Sequence, residues 1–210
     1  EEHYRTIFEN TGNSTILIGE DTTILLANSN FEKLTGFSKD EMEGRMSWTV
    51  FIAPEDLEMM KAYHVQRRND PDSAPGSYEF RLKNRAGELR DIFLTIAMIP
   101  GTKESVASCM DITERKRAEV GLRLSEEKYR SMLESMEEGY FETDSRGNFT
   151  FTNEACRKGL GYSAEELRGL NYRAYMSPET ARHVRNVFSR VYQSGISELL
   201  VDYEVIRKDG

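Results

Sequence analysis

The feature that most constrains this chain is that it repeats itself. Shifting the sequence by 125 positions places Tyr4 on Tyr129, Arg5 on Arg130, Glu9 on Glu134, Asn28 on Asn153, Gly36 on Gly161, Ser38 on Ser163, Glu41 on Glu166 and Gly44 on Gly169. The same shift pairs Tyr78 with Tyr203, Glu79 with Glu204 and Lys83 with Lys208. A period of this length is a whole domain plus a connector rather than a solenoid unit. The chain's 210 residues suffice for two such domains, each with its own core. The reading is therefore a first domain over 1–112, a helical linker over 113–124 and a second domain over 125–210. The second copy stops at the equivalent of residue 85, so it is expected to lack its last two strands.

Within the first copy, Ser14 to Ile18 and Thr22 to Ala27 are short apolar runs around Gly19-Glu20-Asp21, the pattern of a hairpin. Tyr140 to Thr143 and Asn148 to Thr152 repeat it. The alternation of Phe149-Thr-Phe-Thr predicts Phe149 and Phe151 inward and, by the repeat, Ile24 and Leu26. Ser29-x-x-Glu32, Ser38-x-x-Glu41 and Ser163-x-x-Glu166 have capping-box spacing, and Gly36 and Gly161 fall where a helix stops with a left-handed residue. Pro54 and Pro178 suit the first turn of longer helices that run to about Arg68 and Gln193. Tyr78 to Lys83, Leu89 to Met98 and Ser105 to Asp111 read as strands. The fold class is α+β: two domains, each an antiparallel sheet with helices on one face, joined by a long helix.

That helix is DITERKRAEVGLRLSEEKYR, residues 111–130, continuing into Ser125 to Met136. Asp111 and Glu114 have capping-box spacing at its start. Ala118, Leu122, Ser125, Tyr129, Met132 and Met136 alternate by four and three, the seam of a short parallel coiled coil, which polar Ser125 and helix-weakening Gly121 leave marginal.

Composition removes several functions. A net charge of −8 opposes nucleic-acid binding, which needs a basic face, and Arg115-Lys116-Arg117 is interleaved with acids. No run approaches the roughly 20 apolar residues of a membrane span, and the first residues lack the features of a signal peptide. A cytoplasmic location is expected. Cys109 and Cys156 stand far apart in apolar surroundings, as buried free thiols would. No nucleophile, base or metal constellation has usable spacing, so this chain is not expected to be an enzyme.

Several segments together resemble a PAS domain of a bacterial sensory protein: Asn28, LTGFS at 34–38, EMEG at 41–44, APED at 53–56, YEFRLKNRAGE at 78–88 and MDITERKRAE at 110–119. Asn153, LGYSAEELRG at 160–169, SPE at 177–179 and YEVIRKDG at 203–210 resemble a second one. The resemblance implies five-stranded antiparallel sheets that enclose a small pocket with their helices. It further implies a sensory and relay module whose output domain, a histidine kinase of a two-component system or a diguanylate cyclase, lies elsewhere in the parent protein. A homodimer through the linker and N-terminal helices is the expected assembly.

Trp48, Phe51, Met60, His64, Phe80, Leu82, Leu94 and Ile96 are the candidate pocket residues. Asp111, Thr113, Glu114, Leu122 and Tyr129 are the candidates for signal transfer. The ligand is left open, and a ligand-free dimerising relay is the alternative. Haem-binding PAS relatives carry an axial His on the long helix, which makes His64 the candidate haem ligand, on one face with Leu57 and Met60. Light-sensing relatives hold a reactive Cys after the Gly matching Gly44. Here the sequence reads Gly44-Arg-Met-Ser-Trp and Gly169-Leu-Asn-Tyr, which removes the flavin adduct but not flavin held without it.

Overall fold

The computed structural model describes residues 2–196 and 203–210, and the chain divides into two units at Gly121 and Leu122. Helix α1 (Glu2–Glu9) precedes strands β1 (Ser14–Ile18) and β2 (Ile24–Ala27), then short helices α2 (Ser29–Thr35) and α3 (Lys39–Met42). A 3-10 turn at Trp48–Phe51 leads to the long helix α4 (Pro54–Asn69) and to strands β3 (Ser77–Lys83), β4 (Leu89–Met98) and β5 (Ser105–Asp111). These strands form one antiparallel sheet in the order β2-β1-β5-β4-β3. Helix α5 (Thr113–Ser135) is continuous from the linker into the second copy. There β6 (Phe141–Thr143), β7 (Phe149–Thr152), α6 (Glu154–Leu160), α7 (Ala164–Leu167), a 3-10 turn at Tyr172–Tyr175 and α8 (Pro178–Ser194) repeat the opening order.

The first core gathers Ile16, Ile24, Phe31, Met42, Phe51, Leu82, Ile92 and Leu94 between the helices and one sheet face. Each such side chain contributes about 1.5–3 kcal/mol. Phe149, Leu160, Leu167, Tyr175 and Val184 form the second core.

Local signals in the sequence explain most boundaries. Both capping boxes, Ser38 with Glu41 and Ser163 with Glu166, are formed. Gly36 and Gly161 close α2 and α6 in the left-handed conformation, at φ 77° and 78°. The expected box at Ser29 is not the cap, because Asn28 takes the Phe31 amide instead and Ser29 donates its hydroxyl to Glu9.

The inward alternation fails at Leu26, which is 40% exposed, and at Phe151, which is half-buried. The register shifts between Leu17 and Ile18, so that Ile18 faces Ile24 while Leu17 faces Leu26. The second copy repeats the irregularity, with Thr143 opposite Phe149 and Glu142 opposite Phe151. One extra residue reverses the pleat, and Ala27 and Thr152 turn inward in place of the residues before them.

The repeat also changes offset. Gly44 and Gly169 donate to Ile24 and Phe149, 125 apart, but Trp48 and Tyr172 donate to Thr22 and Gly147 in an arrangement that pairs them 124 apart. Further on, Arg85 pairs with Glu41 and lies over Phe37, whereas Lys208 pairs with Glu166 and lies over Tyr162. Arg85, not Lys83, is therefore the counterpart of Lys208, and the pairings of Tyr78 with Tyr203 and Glu79 with Glu204 are two residues out. Residues 203–210, expected to continue a third strand, form none, and residues 197–202 lie outside the described residues.

Candidate functional site

Asn28 and Asn153 are fully buried and organise the two units alike. The Asn28 carbonyl oxygen accepts from the Thr15 and Phe31 amides, and its amide donates to the Phe8 and Asn13 carbonyls and the Thr11 hydroxyl. Asn153 accepts from Tyr140 and Cys156 and donates to Leu133 and Glu138, each 125 positions on. One side chain thus ties the leading helix, the first strand and the next helix together. Only the repetition of the Asn marks it in the sequence.

Above this frame in the first unit, α4 begins at Pro54 and is anchored by Asp56, whose carboxylate takes the Arg81 amide at 2.8 Å and its guanidinium at 2.9 and 3.0 Å. Those hydrogen bonds hold the Asp56 carboxyl below the usual carboxylate range. The helix then buries Met60, His64 and Arg67, spaced i, i+4, i+7. Between that face and the sheet lies a cavity of about 40 Å³. Trp48, Phe51, Met60, His64, Phe80, Leu82, Leu94 and Ile96 all border it. So do Ile16, Arg67, Tyr78 and Cys109, which sequence reasoning did not nominate. Arg67 follows from the helical spacing once His64 is taken as inward, but its charge argues for solvent. Burial pushes the Tyr78 hydroxyl and the Cys109 thiol each up to about 12.

His64 is committed at both nitrogens. Nε2–H donates to the Glu20 carbonyl at 3.0 Å, and Nδ1 accepts from the Arg68 guanidinium at 2.9 Å, which itself can only donate. This fixes the neutral tautomer. Burial, aided by Arg68 and Arg67, pushes the imidazole below its ordinary pKa. These residues do not fit a haem: neither nitrogen has a lone pair free for iron, and a cavity of about 40 Å³ is far too small for a porphyrin. The same volume excludes a flavin ring.

The signal-transfer candidates divide between the two halves of α5. At its start, the Asp91 amide of β4 donates to the Thr113 hydroxyl at 2.8 Å and the Ile112 amide donates to the Asp91 carbonyl at 2.9 Å. Lys116 pairs with Asp91 and with Glu79 of β3. The Asp111 carboxylate takes the Thr113 amide at 2.9 Å rather than forming a box with Glu114, which is exposed and faces Arg117. Leu122 and Tyr129 are 64% and 48% exposed, and Ala118, Ser125 and Met132 are exposed as well. Met136, the last position of the expected seam, lies one residue past the helix end.

In the second unit α8 buries Ala181, Val184 and Val187. Counting from Pro178 as from Pro54, Phe188 and Val191 stand where the first unit has His64 and Arg67. Among the described residues no group of His, Cys, Asp and Glu side chains could hold a metal, and no helix is long and apolar enough to cross a membrane.

The family model described as PAS fold matches residues 2–96 and 127–210. Among solved structures, a PAS domain of a protein from Colwellia psychrerythraea is similar at 18% identity and a TM-score of 0.48, covering 54% of this chain and 97% of its own. A sensory box histidine kinase/response regulator from Burkholderia thailandensis is 22% identical with a TM-score of 0.46, over 61% of this chain and 98% of its own. A domain of a sensory box sensor histidine kinase/response regulator from Geobacter sulfurreducens is 18% identical with a TM-score of 0.46, over 52% and 92%. No curated protein matches.

Proposed function

We propose, from the premise that the chain belongs to the PAS fold family, that it is a sensory and relay module of a multidomain signalling protein. The cavity of the first unit is the input, α5 is the output, and the effector domain lies outside this chain. The observation that carries the reading is the double tie at Asp91. Strand β4 lines the cavity with Leu94 and Ile96 and, three residues before Leu94, holds the first turn of α5 through Thr113, Ile112 and Lys116. A small displacement of β4 by whatever occupies the cavity is transmitted to the helix by hydrogen bonds rather than by loose packing. Fold alone does not supply this conclusion, because PAS-like frames serve many ends.

Hydrogen exchange tests the link without a ligand. Leu94→Val enlarges the cavity by one methylene and should raise exchange several-fold at amides 113–121, and Thr113→Val should remove that response. Changes confined to β3, β4 and β5 would leave the helix a tether. The exposed stripe of Leu122, Tyr129 and Met132 supports self-association through α5. Leu122→Glu should then weaken self-association in sedimentation by about tenfold or more, since pairing of two copies would bury an unpaired charge in the seam. Unchanged sedimentation would make this a monomeric connector.

A further inference from the structure

Of the three residues that α4 turns to the cavity, two are types that carry positive charge. His64 is held neutral by its two hydrogen bonds, which leaves Arg67 as the cation. Arg67 is 2% exposed, and arginine is almost never so buried without a carboxylate. Its partners are neutral: it donates to the Tyr63 carbonyl at 3.4 Å and to the Pro75 carbonyl. Among the described residues no carboxylate forms an ion pair with it, whereas Arg81 on β3 is clamped by Asp56. Five N–H groups on a planar fork suit a carboxylate, and carbonyl partners neutralise none of the charge.

Trp48 supplies the second observation. It borders the same cavity, is 6% exposed, and carries a buried Nε1–H with no acceptor among the described residues. The remaining wall includes Ile16, Phe51, Leu94 and Ile96. A volume of about 40 Å³ has room for about three water-sized groups. At the corresponding places the second unit carries Phe188, which is 42% exposed, and Val191, so the burial of a histidine and an arginine is particular to the first unit.

We propose that the cavity of the first unit binds a short-chain carboxylate, with its anionic end on Arg67, the Trp48 indole N–H as an additional donor and its alkyl end among the aliphatic side chains. The proposal rests on the reading of this cavity as the input site and names the chemistry of that input.

The chain has one tryptophan, so its ¹H–¹⁵N spectrum contains a single indole signal. The full chain is titrated with sodium acetate, with acetamide as an uncharged probe of the same shape and with sodium chloride as the control for ionic strength. Acetate should shift the indole signal saturably, acetamide should bind at least tenfold more weakly, and Arg67→Met should weaken acetate at least tenfold while its amide spectrum stays dispersed. Should Arg67→Met fail to fold, acetate against acetamide on the unmodified chain decides alone. Equal affinity for the two probes, or no saturable response to acetate, overturns the carboxylate. Saturable binding of acetamide alone would overturn it as well while leaving the cavity an input site, and the exchange response at 113–121 judges the relay separately.

Discussion

Where α4 of the first unit turns Met60, His64 and Arg67 inward, α8 of the second carries Val184, Phe188 and Val191, because Pro54 and Pro178 start both helices and set a common count along them. The frames beneath are the same in kind. Asn28 and Asn153, the two capping boxes, the two left-handed glycines and the two strand irregularities recur with their hydrogen bonds. The difference therefore lies in what the long helix buries: Met60, His64 and Arg67 in α4, but Ala181, Val184 and Val187 in α8, where Phe188 is 42% exposed. A fold repeated along one chain can keep its scaffold while the long helix of one copy buries polar side chains and that of the other buries small apolar ones at shifted positions.

The largest effect that would test this division comes from the shared frame. Asn28→Ala strands two amides and loses their acceptor, and should destabilise the first unit by about 3 kcal/mol in urea unfolding followed by Trp48 fluorescence. Asn153→Ala should cost the second unit a similar amount and leave the Trp48 transition in place. A Trp48 transition that moves equally in both variants would show that the frames are not independent.

A second pair of substitutions sharpens the comparison at one turn. Thr22 and Gly147 occupy equivalent places at φ 76° and 83°. A Cβ at Gly147 would lie 2.3 Å from the Tyr172 ring, so Gly147→Ala should destabilise the second unit by about 2 kcal/mol, read by circular dichroism. Thr22→Gly relieves left-handed strain in the first unit but loses the hydroxyl bond to Ser47 at 2.8 Å, and the net change should stay within about 0.5 kcal/mol. A large loss in Thr22→Gly would assign the turn's geometry to that hydroxyl.

The smallest expected effect is the acid response of His64, which the second unit lacks at Phe188. Burial first, then Arg68 and Arg67, lower its pKa, against the Glu20 carbonyl bond and Asp21, which raise it. The unfolded chain takes up the proton near the ordinary value of about 6.5, before the folded one does. His64 therefore contributes stability that is fully present above that value and is lost as pH falls from it through the lowered folded pKa. Acidification should reduce the Trp48-reported midpoint more in the unmodified chain than in His64→Gln, and an identical acid response in both would remove the group from the account.

Much of this was legible in residue order. The capping boxes at Ser38 and Ser163, the glycine stops, the proline starts and β4 and β5 fall where spacing places them; six of the cavity side chains follow from alternation or helical period, and Trp48 and Phe51 from being a pair of aromatics. Leu26 and Phe151 were not, because alternation says nothing of an extra residue on one strand of a pair. Ser29 was misread since Asn28 beside it makes the better cap and Glu9 claims the serine. The Tyr78 and Tyr203 match was misleading for a different reason: a slip of two residues preserves every strand face and leaves no trace in the hydrophobic pattern.

The sequence by itself determined the repeat, the α+β order and the ends of most helices, because caps, left-handed glycines and prolines act within about four residues along the chain. Only the tertiary structure decided what the first interior is. Arg67 is buried among Tyr63, Pro75 and Tyr78, while His64 takes its tautomer from Arg68 and from Glu20, 44 positions away. Among the described residues the Trp48 N–H finds no acceptor, beside a cavity walled by strands that lie both before and after it in the chain. Charge, tautomer and empty space depend on which distant groups are brought together, and that is settled by packing.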